Sequence, residues 1–226
     1  MSRSNFVIFL AEIAGTFGLL VSATGSIVYD GEVGGILGIG FIAAMHFVGI
    51  SFMIILFGRY SMAHFNPAVT IAYFVAGYVD IKKIPVYFGA QAAGAFLGSF
   101  FVKYVLGDFA NLGLNSPNHE YPIVLFFGIE ILATLFLMGS ILIAINIKGL
   151  SSVFVGTIIA GTVTLDVYFF GTISGASMNP IRSLTPSIIT GILDDLWLYW
   201  TAPFIGSVIA AFIFRTMRKN KKLVKQ

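Results

Sequence analysis

The chain has 226 residues, of which 58% are hydrophobic and 10% are charged, and its mean hydropathy is +0.94. A water-soluble domain would need far more polar surface, so this composition predicts a membrane protein. The chain has no cysteine, which excludes disulfides, thiolate metal sites and thiol nucleophiles, and no other catalytic or metal-ligand grouping stands out. We therefore expect neither an enzyme nor a bound metal or cofactor.

Six apolar stretches follow one another along the chain. Each is long enough to cross a bilayer as a helix, which takes about 20 residues. The stretches are residues 6–28, 36–57, 84–106, 123–145, 151–170 and 197–214. The sequence therefore predicts an all-α membrane protein whose residues 1–226 form a single domain that ends in a basic tail, residues 215–226.

The basic residues fall mainly on one side of such a bundle. If both termini share a side and the six spans alternate, that side holds eleven of the thirteen: Arg3, Arg59, Lys82, Lys83, Lys148, Arg215, Arg218, Lys219, Lys221, Lys222 and Lys225. This bias is typical of cytoplasmic loops, so we expect cytoplasmic termini in an integral protein of the plasma membrane. The tail is interpreted as a topology signal near anionic lipid, not as a nucleic-acid site.

The chain also repeats itself. LAEIAGTF around Glu12 resembles GIEILATLF around Glu130, and YFGAQAAGA (87–95) aligns with YWTAPFIGS (199–207) at an offset of 112. The two halves, about 6–106 and 123–214, each hold three spans. Because three is odd, the second half must lie upside down relative to the first, as in an inverted-topology repeat.

Each half contains one Asn-Pro pair at a matching position, Asn66-Pro67 and Asn179-Pro180. Asparagine is a favoured N-cap and proline fits the first helical position, so each pair predicts a helix start. The apolar stretches that follow, 67–76 and 180–190, reach only about half of the ~30 Å hydrocarbon core. We expect two re-entrant half-helices that meet near the midplane. The non-helical backbone before them, 59–66 and 171–179, then lines a pore, because membrane depth tolerates such backbone only in buried or watery places.

The motifs HFNPAVT and SMNPIRS, the two glutamates and the AQ of GAQAAGA make the chain resemble the aquaporin, or major intrinsic protein, family along nearly its whole length. The resemblance implies a right-handed helical bundle, usually a homotetramer with one pore per subunit, which passes water or small neutral solutes. It implies that the central motif residues of the pore are Asn66, Pro67, Ala68, Asn179, Pro180 and Ile181.

The resemblance also implies an outer constriction, the selectivity filter. Ungapped counts from the two motifs place it at His46, Val167, Ala176 and Arg182, although a shift of one residue would replace His46 by Phe47. A histidine at the first position is similar to plant tonoplast intrinsic proteins, many of which also pass ammonia or urea. We therefore expect a passive water channel that also admits such small neutral solutes. Protons and ions should be excluded, because the half-helix dipoles and the arginine oppose them.

Buried polar residues outside the motifs are expected to support the re-entrant loops. Glu12 and Glu130 accept hydrogen bonds from the loop backbone, while His64 and Gln91 brace the first loop. Asp166 lies either in the outer vestibule or beside the pore arginine. The spacing Gly94-x-x-x-Gly98 predicts close packing of helices.

Two positions depart from related patterns. Ile181 stands where the family usually has alanine, so its larger side chain could narrow the path or press on the junction of the half-helices. Ser183 stands where glycerol facilitators resemble one another in carrying aspartate, which favours water. A facilitator of glycerol or small polyols is the alternative.

Two functions of a different class also fit a six-span membrane protein. Coupled secondary transporters use inverted repeats and broken helices as well, but apart from His46 and Asp166 the predicted path has no titratable group. A structural membrane protein with a vestigial pore would be favoured by long adhesive loops. The longest loop here, residues 107–121, is short.

Overall fold

The computed structural model describes residues 4–223, with side chains up to residue 218. Arg3 and Lys225, assigned above to the cytoplasmic side, lie outside the described residues, as do the side chains of Lys219, Lys221 and Lys222. The helices are α1 (Asn5–Glu32), α2 (Gly38–Ser61), α3 (Pro67–Val75), α4 (Ile84–Val105), α5 (Phe109–Gly113), α6 (Ile123–Ala144), α7 (Ser152–Ser174), α8 (Pro180–Thr190), α9 (Leu196–Tyr199) and α10 (Ala202–Leu223), with a 3₁₀ turn at Ile81–Lys83.

Six helical segments in the described part of the chain are long and apolar enough to cross a membrane. They are α1, α2, α4, α6, α7 and the combination of α9 with α10, so the predicted all-α, six-span architecture is confirmed. The last span is interrupted between Tyr199 and Ala202. Pro203 follows in the first turn of α10, where its missing N–H breaks no intrahelical hydrogen bond.

The two half-helices begin where the Asn-Pro pairs predict, but the non-helical segments before them are shorter than expected. Helix α2 continues to Ser61 and α7 to Ser174, so only residues 62–66 and 175–179 are non-helical, not 59–66 and 171–179. Each long helix ends at a residue in the left-handed conformation, Met62 with φ 71° and Gly175 with φ 87°. A left-handed residue at this position terminates a helix.

Glycines bring α1 against α4 and α6 against α10 in the same way. A Cβ at Gly94 would lie 2.4 Å from the Ile13 carbonyl oxygen, and a Cβ at Gly206 would lie 2.2 Å from that of Ile131. At Gly98 it would lie 2.7 Å from a side-chain carbon of α1. The predicted close packing around Gly94 and Gly98 is confirmed, and it recurs at the equivalent position of the second half.

The connection between the halves, residues 107–121, folds back onto the bundle. In α5 the residues Ala110, Asn111 and Leu112 have φ of 49°, 51° and 57°, so this segment is a left-handed turn and not an ordinary helix. The side chain of Leu112 is fully buried against Val28 and Val102. This contact fixes the following residues of the connection over the end of the bundle opposite to the termini.

Candidate pore

Two cavities lie one above the other along the axis of the bundle. The inner cavity offers about 60 Å³ to water-sized molecules, and the outer one, beneath the connection 107–121, offers about 200 Å³. His46 and Arg182 line both cavities and therefore form the boundary between them. Since one water needs about 10–15 Å³ of such space, the inner cavity has room for only a short file of waters.

The N-termini of α3 and α8 meet at the inner cavity. The side-chain oxygen of Asn66 accepts from the Ala68 N–H at 2.8 Å, and that of Asn179 accepts from the Ile181 N–H at 3.2 Å, so both residues are N-caps. Each amide nitrogen donates to the opposite loop, Asn66 to the Met178 carbonyl at 2.8 Å and Asn179 to the Phe65 carbonyl at 2.9 Å. An amide NH₂ has two hydrogens, so each asparagine retains one donor for a molecule in the cavity.

A buried glutamate holds each re-entrant loop. Glu12 accepts from the backbone N–H groups of His64 and Phe65 at 2.9 and 2.8 Å, and Glu130 accepts from those of Ser177 and Met178 at 3.0 and 3.1 Å. A serine hydroxyl at the end of the preceding helix also donates to each carboxylate, at 2.6 Å in the first half and 2.8 Å in the second. The structure thus gives both glutamates the contacts that the sequence predicted.

These hydrogen bonds determine where the loop carbonyls point. In a trans peptide the N–H and the preceding C=O point in opposite directions. Because the N–H groups of His64 and Ser177 face the glutamates, the carbonyls of Ala63 and Ala176 face away from them, and all four residues line the inner cavity. The loops therefore present a line of acceptors to the cavity.

The rest of the inner cavity wall is apolar. It is formed by side chains of α1, α2, α6 and α7: Leu19, Ala23, Ile50, Ile54, Leu137, Ile141, Ile159 and Val163. A water molecule in this cavity finds hydrogen-bond partners on one side only. Such a wall leaves a permeating molecule few bonds to break as it moves, while the polar line replaces part of its hydration.

The four predicted filter residues lie together at the boundary between the cavities. Val167 lines the outer cavity and Ala176 the inner one, on either side of the pair His46 and Arg182. Phe47, the alternative to His46, packs instead against the apolar core. The Nδ1 atom of His46 lies 2.8 Å from the Ile42 carbonyl and must donate to it, which leaves Nε2 for other partners.

Asn115, in the connection 107–121, contacts Arg182 and was not predicted from the sequence. Its side-chain oxygen accepts from Arg182 Nη1 and from the Ser183 hydroxyl, the latter at 2.7 Å, while its amide nitrogen donates to the Gly175 carbonyl at 2.7 Å. Asn115 is buried and lines the outer cavity. Several other polar residues share this connection, and nothing in the sequence distinguishes Asn115 from them.

The first half has no equivalent of the arginine. Position 69 corresponds to position 182 by the 113-residue offset between the asparagines, and it holds Val69. At the same offset, the counterparts of His46, Val167 and Ala176 are Ile159, Ile54 and Ala63. These three counterparts and Val69 all line the inner cavity. The inner end of the path is thus an apolar counterpart of the polar boundary at its outer end.

His64 and Gln91 both contact the first loop, as predicted. The Nδ1 atom of His64 lies 3.0 Å from the Thr70 hydroxyl oxygen, and the ring stacks on that of Tyr87 with centroids 3.9 Å apart. Gln91 donates to Glu12 at 2.8 Å and to Thr70 at 3.0 Å. His64 also lines the inner cavity, so it combines its bracing contact with a place on the path.

For Ile181 the structure supports one of the two expected effects, and for Asp166 it supports neither of the two expected positions. Ile181 is absent from the lining of the inner cavity and packs instead against Leu20 and Ala95, so it does not narrow the described path. Ala68, the second residue of α3, is likewise absent from that lining. Asp166 is buried but lines neither cavity and lies beyond 4.0 Å from the nitrogens of Arg182.

Comparison with known proteins identifies this arrangement. A family model described as Major intrinsic protein matches residues 2–214. The chain belongs to the major intrinsic protein family. It is 34% identical to Aquaporin NIP3-1 of Arabidopsis thaliana, over 94% of this chain and 68% of that protein, and 30% identical to Aquaporin NIP1-2 of Oryza sativa subsp. japonica, over 98% and 75%.

A solved structure shows the same fold. The aquaglyceroporin from Plasmodium falciparum superposes with a TM-score of 0.83 at 22% identity, over 94% of this chain and 96% of that one. Major intrinsic proteins are membrane channels, so the expectation that the protein is not an enzyme is confirmed. The resemblance inferred from HFNPAVT and SMNPIRS is confirmed as well, and the protein is an integral membrane protein of this family.

Proposed function

We propose that this protein is a passive channel that conducts water in single file and excludes protons and other ions. The observation that carries the proposal is the meeting of two helix N-termini at the inner cavity, where Asn66 and Asn179 each keep one free amide hydrogen. A water that accepts from both asparagines directs its own hydrogens towards its neighbours on either side. It cannot take up a proton from one neighbour and pass one to the other, so the proton relay is broken at this point.

The electrostatics support the exclusion of cations. Each helix N-terminus carries about half a positive charge, and both face the same cavity. Arg182 adds a full charge at the boundary with the outer cavity, and no carboxylate oxygen among the described residues lies within 4.0 Å of it. A cation that left its hydration shell at this boundary would meet positive charge there.

The solute range is proposed to include ammonia and urea. The boundary combines the donors of Arg182 with a histidine and two apolar side chains, Val167 and Ala176. Two apolar walls beside two polar groups leave room for a small uncharged molecule that can hydrogen-bond on one side. Glycerol is the alternative solute, and Ser183 makes it the weaker one. The aquaglyceroporin neighbour, at 22% identity, supports the fold alone.

Stopped-flow light scattering on proteoliposomes tests this function. Vesicles with the purified protein should shrink much faster than empty vesicles under an osmotic gradient, take up urea and ammonia faster than glycerol, and show no added proton leak. Val69→Trp is the matched control, because Val69 lines the inner cavity and an indole there should block it. Shrinkage no faster than in empty vesicles, or equal shrinkage in the blocked variant, would contradict a water path through this cavity.

We also propose a homotetramer in the plasma membrane with both termini in the cytoplasm. The bias of basic residues, including Arg59 and Lys148, towards the side of the termini supports this orientation. The homotetramer is the assembly that the family resemblance implies. Because the chain has no cysteine, Lys148→Cys and Ser116→Cys each introduce a single cysteine, and the two cysteines are expected on opposite sides of the membrane. Only the second should react with an impermeant maleimide on intact cells, and light scattering of the purified protein should give the mass of four chains.

A further inference from the structure

A groove runs along the outer surface of the bundle between α6 and α10, near their C-terminal ends and away from the pore. It has a volume of about 430 Å³. Its apolar lining consists of Leu135, Gly139, Leu142, Ile143, Ala210, Ile213, Phe214 and Met217. Ile143, Ile213 and Met217 are each at least half exposed, so the groove opens towards the lipid that surrounds a membrane-spanning bundle.

One end of this groove is polar. Asn146 and Arg218 complete its lining. The side chain of Tyr78 contacts both of these residues. The Tyr78 hydroxyl donates to the Asn146 side-chain oxygen at 2.9 Å, and the Arg218 guanidinium lies 5.4 Å from the centre of the Tyr78 ring. Among the side chains that the structure describes, no carboxylate oxygen lies within 4.0 Å of Arg218, so its charge is not neutralised by the protein.

The polar end lies at the level of the membrane surface. The apolar run of the last span ends at Phe214, and the sequence then carries the basic residues Arg215, Arg218, Lys219, Lys221 and Lys222. One turn before Arg218, Arg215 donates to the Val75 carbonyl at 3.0 Å and is thereby held against the bundle. Basic groups at this level attract anionic headgroups, and a basic pocket between membrane helices is a known way to select such lipids.

We propose that this groove binds an anionic phospholipid, with one acyl chain between α6 and α10 and the phosphate at Arg218. The apolar walls match a hydrocarbon chain, the opening faces lipid, and the unneutralised arginine supplies the complementary charge at the correct end. Asn146 and Tyr78 contribute by fixing the height and direction of the polar end. The site is separate from the pore and does not depend on which solutes the pore conducts.

Lipid retention measured by native mass spectrometry tests the site on the full-length protein in detergent. The probes are dioleoylphosphatidylglycerol, dioleoylphosphatidylcholine and, as a headgroup without chains, glycerol 3-phosphate. We expect the wild type to retain phosphatidylglycerol at least fivefold over phosphatidylcholine. Arg218→Gln should bring this ratio close to one and Arg218→Lys should restore most of it. Glycerol 3-phosphate should not compete.

Two glycines of α6 provide a matched pair for the apolar part. A Cβ at Gly139 or at Gly128 would meet no atom within 4 Å, so both positions have open space for a side chain, and leucine favours the helix over glycine. Gly139 lines the groove and Gly128 lies nearer the other end of the helix. Gly139→Leu should reduce retention of both lipids several-fold, whereas Gly128→Leu should leave it unchanged.

Four results would overturn the proposal. Equal retention of the two lipids by the wild type would remove the charge selection, and full retention by Gly139→Leu would place the lipid elsewhere. Competition by glycerol 3-phosphate would indicate a site for free phosphate esters. If Gly139→Leu keeps its lipid but the mass of the assembly in light scattering changes, the groove is a contact between subunits. Arg218 is exposed, so its variants remain informative even if Gly139→Leu does not fold.

Discussion

The two re-entrant loops share a scaffold but differ in what they present to the path. Before each loop, the serine that ends the long helix accepts a hydrogen bond at its carbonyl from a tyrosine hydroxyl of another helix. Tyr87 donates to Ser61 and Tyr199 to Ser174, both at 2.7 Å. Left-handed residues recur at the same offsets, at 62, 63 and 65 and again at 175, 176 and 178. Repetition therefore extends to individual backbone torsions, which shows that the scaffold is fixed by local chemistry common to both halves.

The differences are concentrated where the loops meet solute or a neighbouring helix. Arg182 corresponds to Val69, and the arginine has a partner in Asn115, which lies in the single connection between the halves. Gln91, which donates to Glu12, corresponds to Pro203, which has no side-chain donor. The repeat thus supplies two nearly equal frames, and a few substitutions make one end of the path polar and the other apolar.

The largest expected effect comes from removing a scaffold carboxylate. In Glu130→Ala the N–H groups of Ser177 and Met178 lose their acceptor, and each buried unsatisfied donor costs about 1–3 kcal/mol. The left-handed residues of the loop are in a strained backbone conformation, and the hydrogen bonds to the carboxylate that stabilise this conformation are lost. We expect the melting temperature in detergent to fall by on the order of 10 °C and water conduction to be lost.

Glu12→Ala sharpens this comparison. Glu12 also accepts from Gln91, so its removal should cost at least as much as that of Glu130, and Glu130→Gln should recover part of the loss because it keeps one acceptor oxygen. Melting curves and stopped-flow water permeability on the same preparations give the result. Wild-type stability in both alanine variants would show that the carboxylates do not hold the loops.

The next effect concerns the polar end. Arg182→Val places at position 182 the residue that the first loop has at position 69 and so makes both ends apolar. The boundary loses its bulk and its donors, and we expect urea permeability to rise by on the order of tenfold, which corresponds to about 1.4 kcal/mol in the barrier. Water permeability should persist. Arg182→Lys keeps the charge and should lie between the two, and equal urea flux in all three proteins would exclude Arg182 from the filter.

The features that could be predicted from the sequence are mainly those that occur in both halves. The asparagines, the glutamates and the half-helices were predictable because each occurs twice, at offsets that differ by only a few residues, and the Asn-Pro pair has a definite meaning for a helix start. His46 and Val167 were placed by counting from the motifs, and both lie at the boundary of the two cavities because the intervening residues form continuous helix and short loop. The predicted ends of helices and loops were less accurate, because a left-handed residue such as Met62 at the end of α2 leaves no clear pattern in the sequence.

What the sequence could not reveal depends on contacts between distant residues. Asn115 meets Arg182 across 67 positions, from a connection that has no periodicity and no counterpart in the other half. Asp166 is a polar residue in an apolar helix, and its neighbours follow from packing between helices that a single chain does not display. The direction of Ile181 depends on which side of α8 faces the cavity, and this is fixed only when the two loops meet.

Asn115→Ala should have a smaller effect than loss of the arginine itself. Arg182 remains but loses a hydrogen-bond partner, and the loop loses its contact with Gly175. We expect urea permeability to rise by about two- to threefold, which corresponds to about 0.5 kcal/mol, the lower end of what a typical hydrogen bond contributes. Asn118→Ala is the control, since the Asn118 side-chain oxygen accepts from Glu120 within the same connection. Equal effects of the two variants would mean that Asn115 acts through the loop and not through Arg182.

The smallest effect on conduction is expected at Ile181, where the sequence left open a narrowed path or a packing contact and the structure shows the packing contact. Ile181→Ala restores the usual third residue of the motif and makes it equal to Ala68 of the first loop. Its side chain packs on α1 and α4 outside the cavity, so water permeability should change by less than about twofold. Stability should still fall by about 2–5 kcal/mol, as for other buried isoleucines cut to alanine. A several-fold gain in permeability would restore Ile181 to the path, and the two loops would then differ at the junction as well as at the filter.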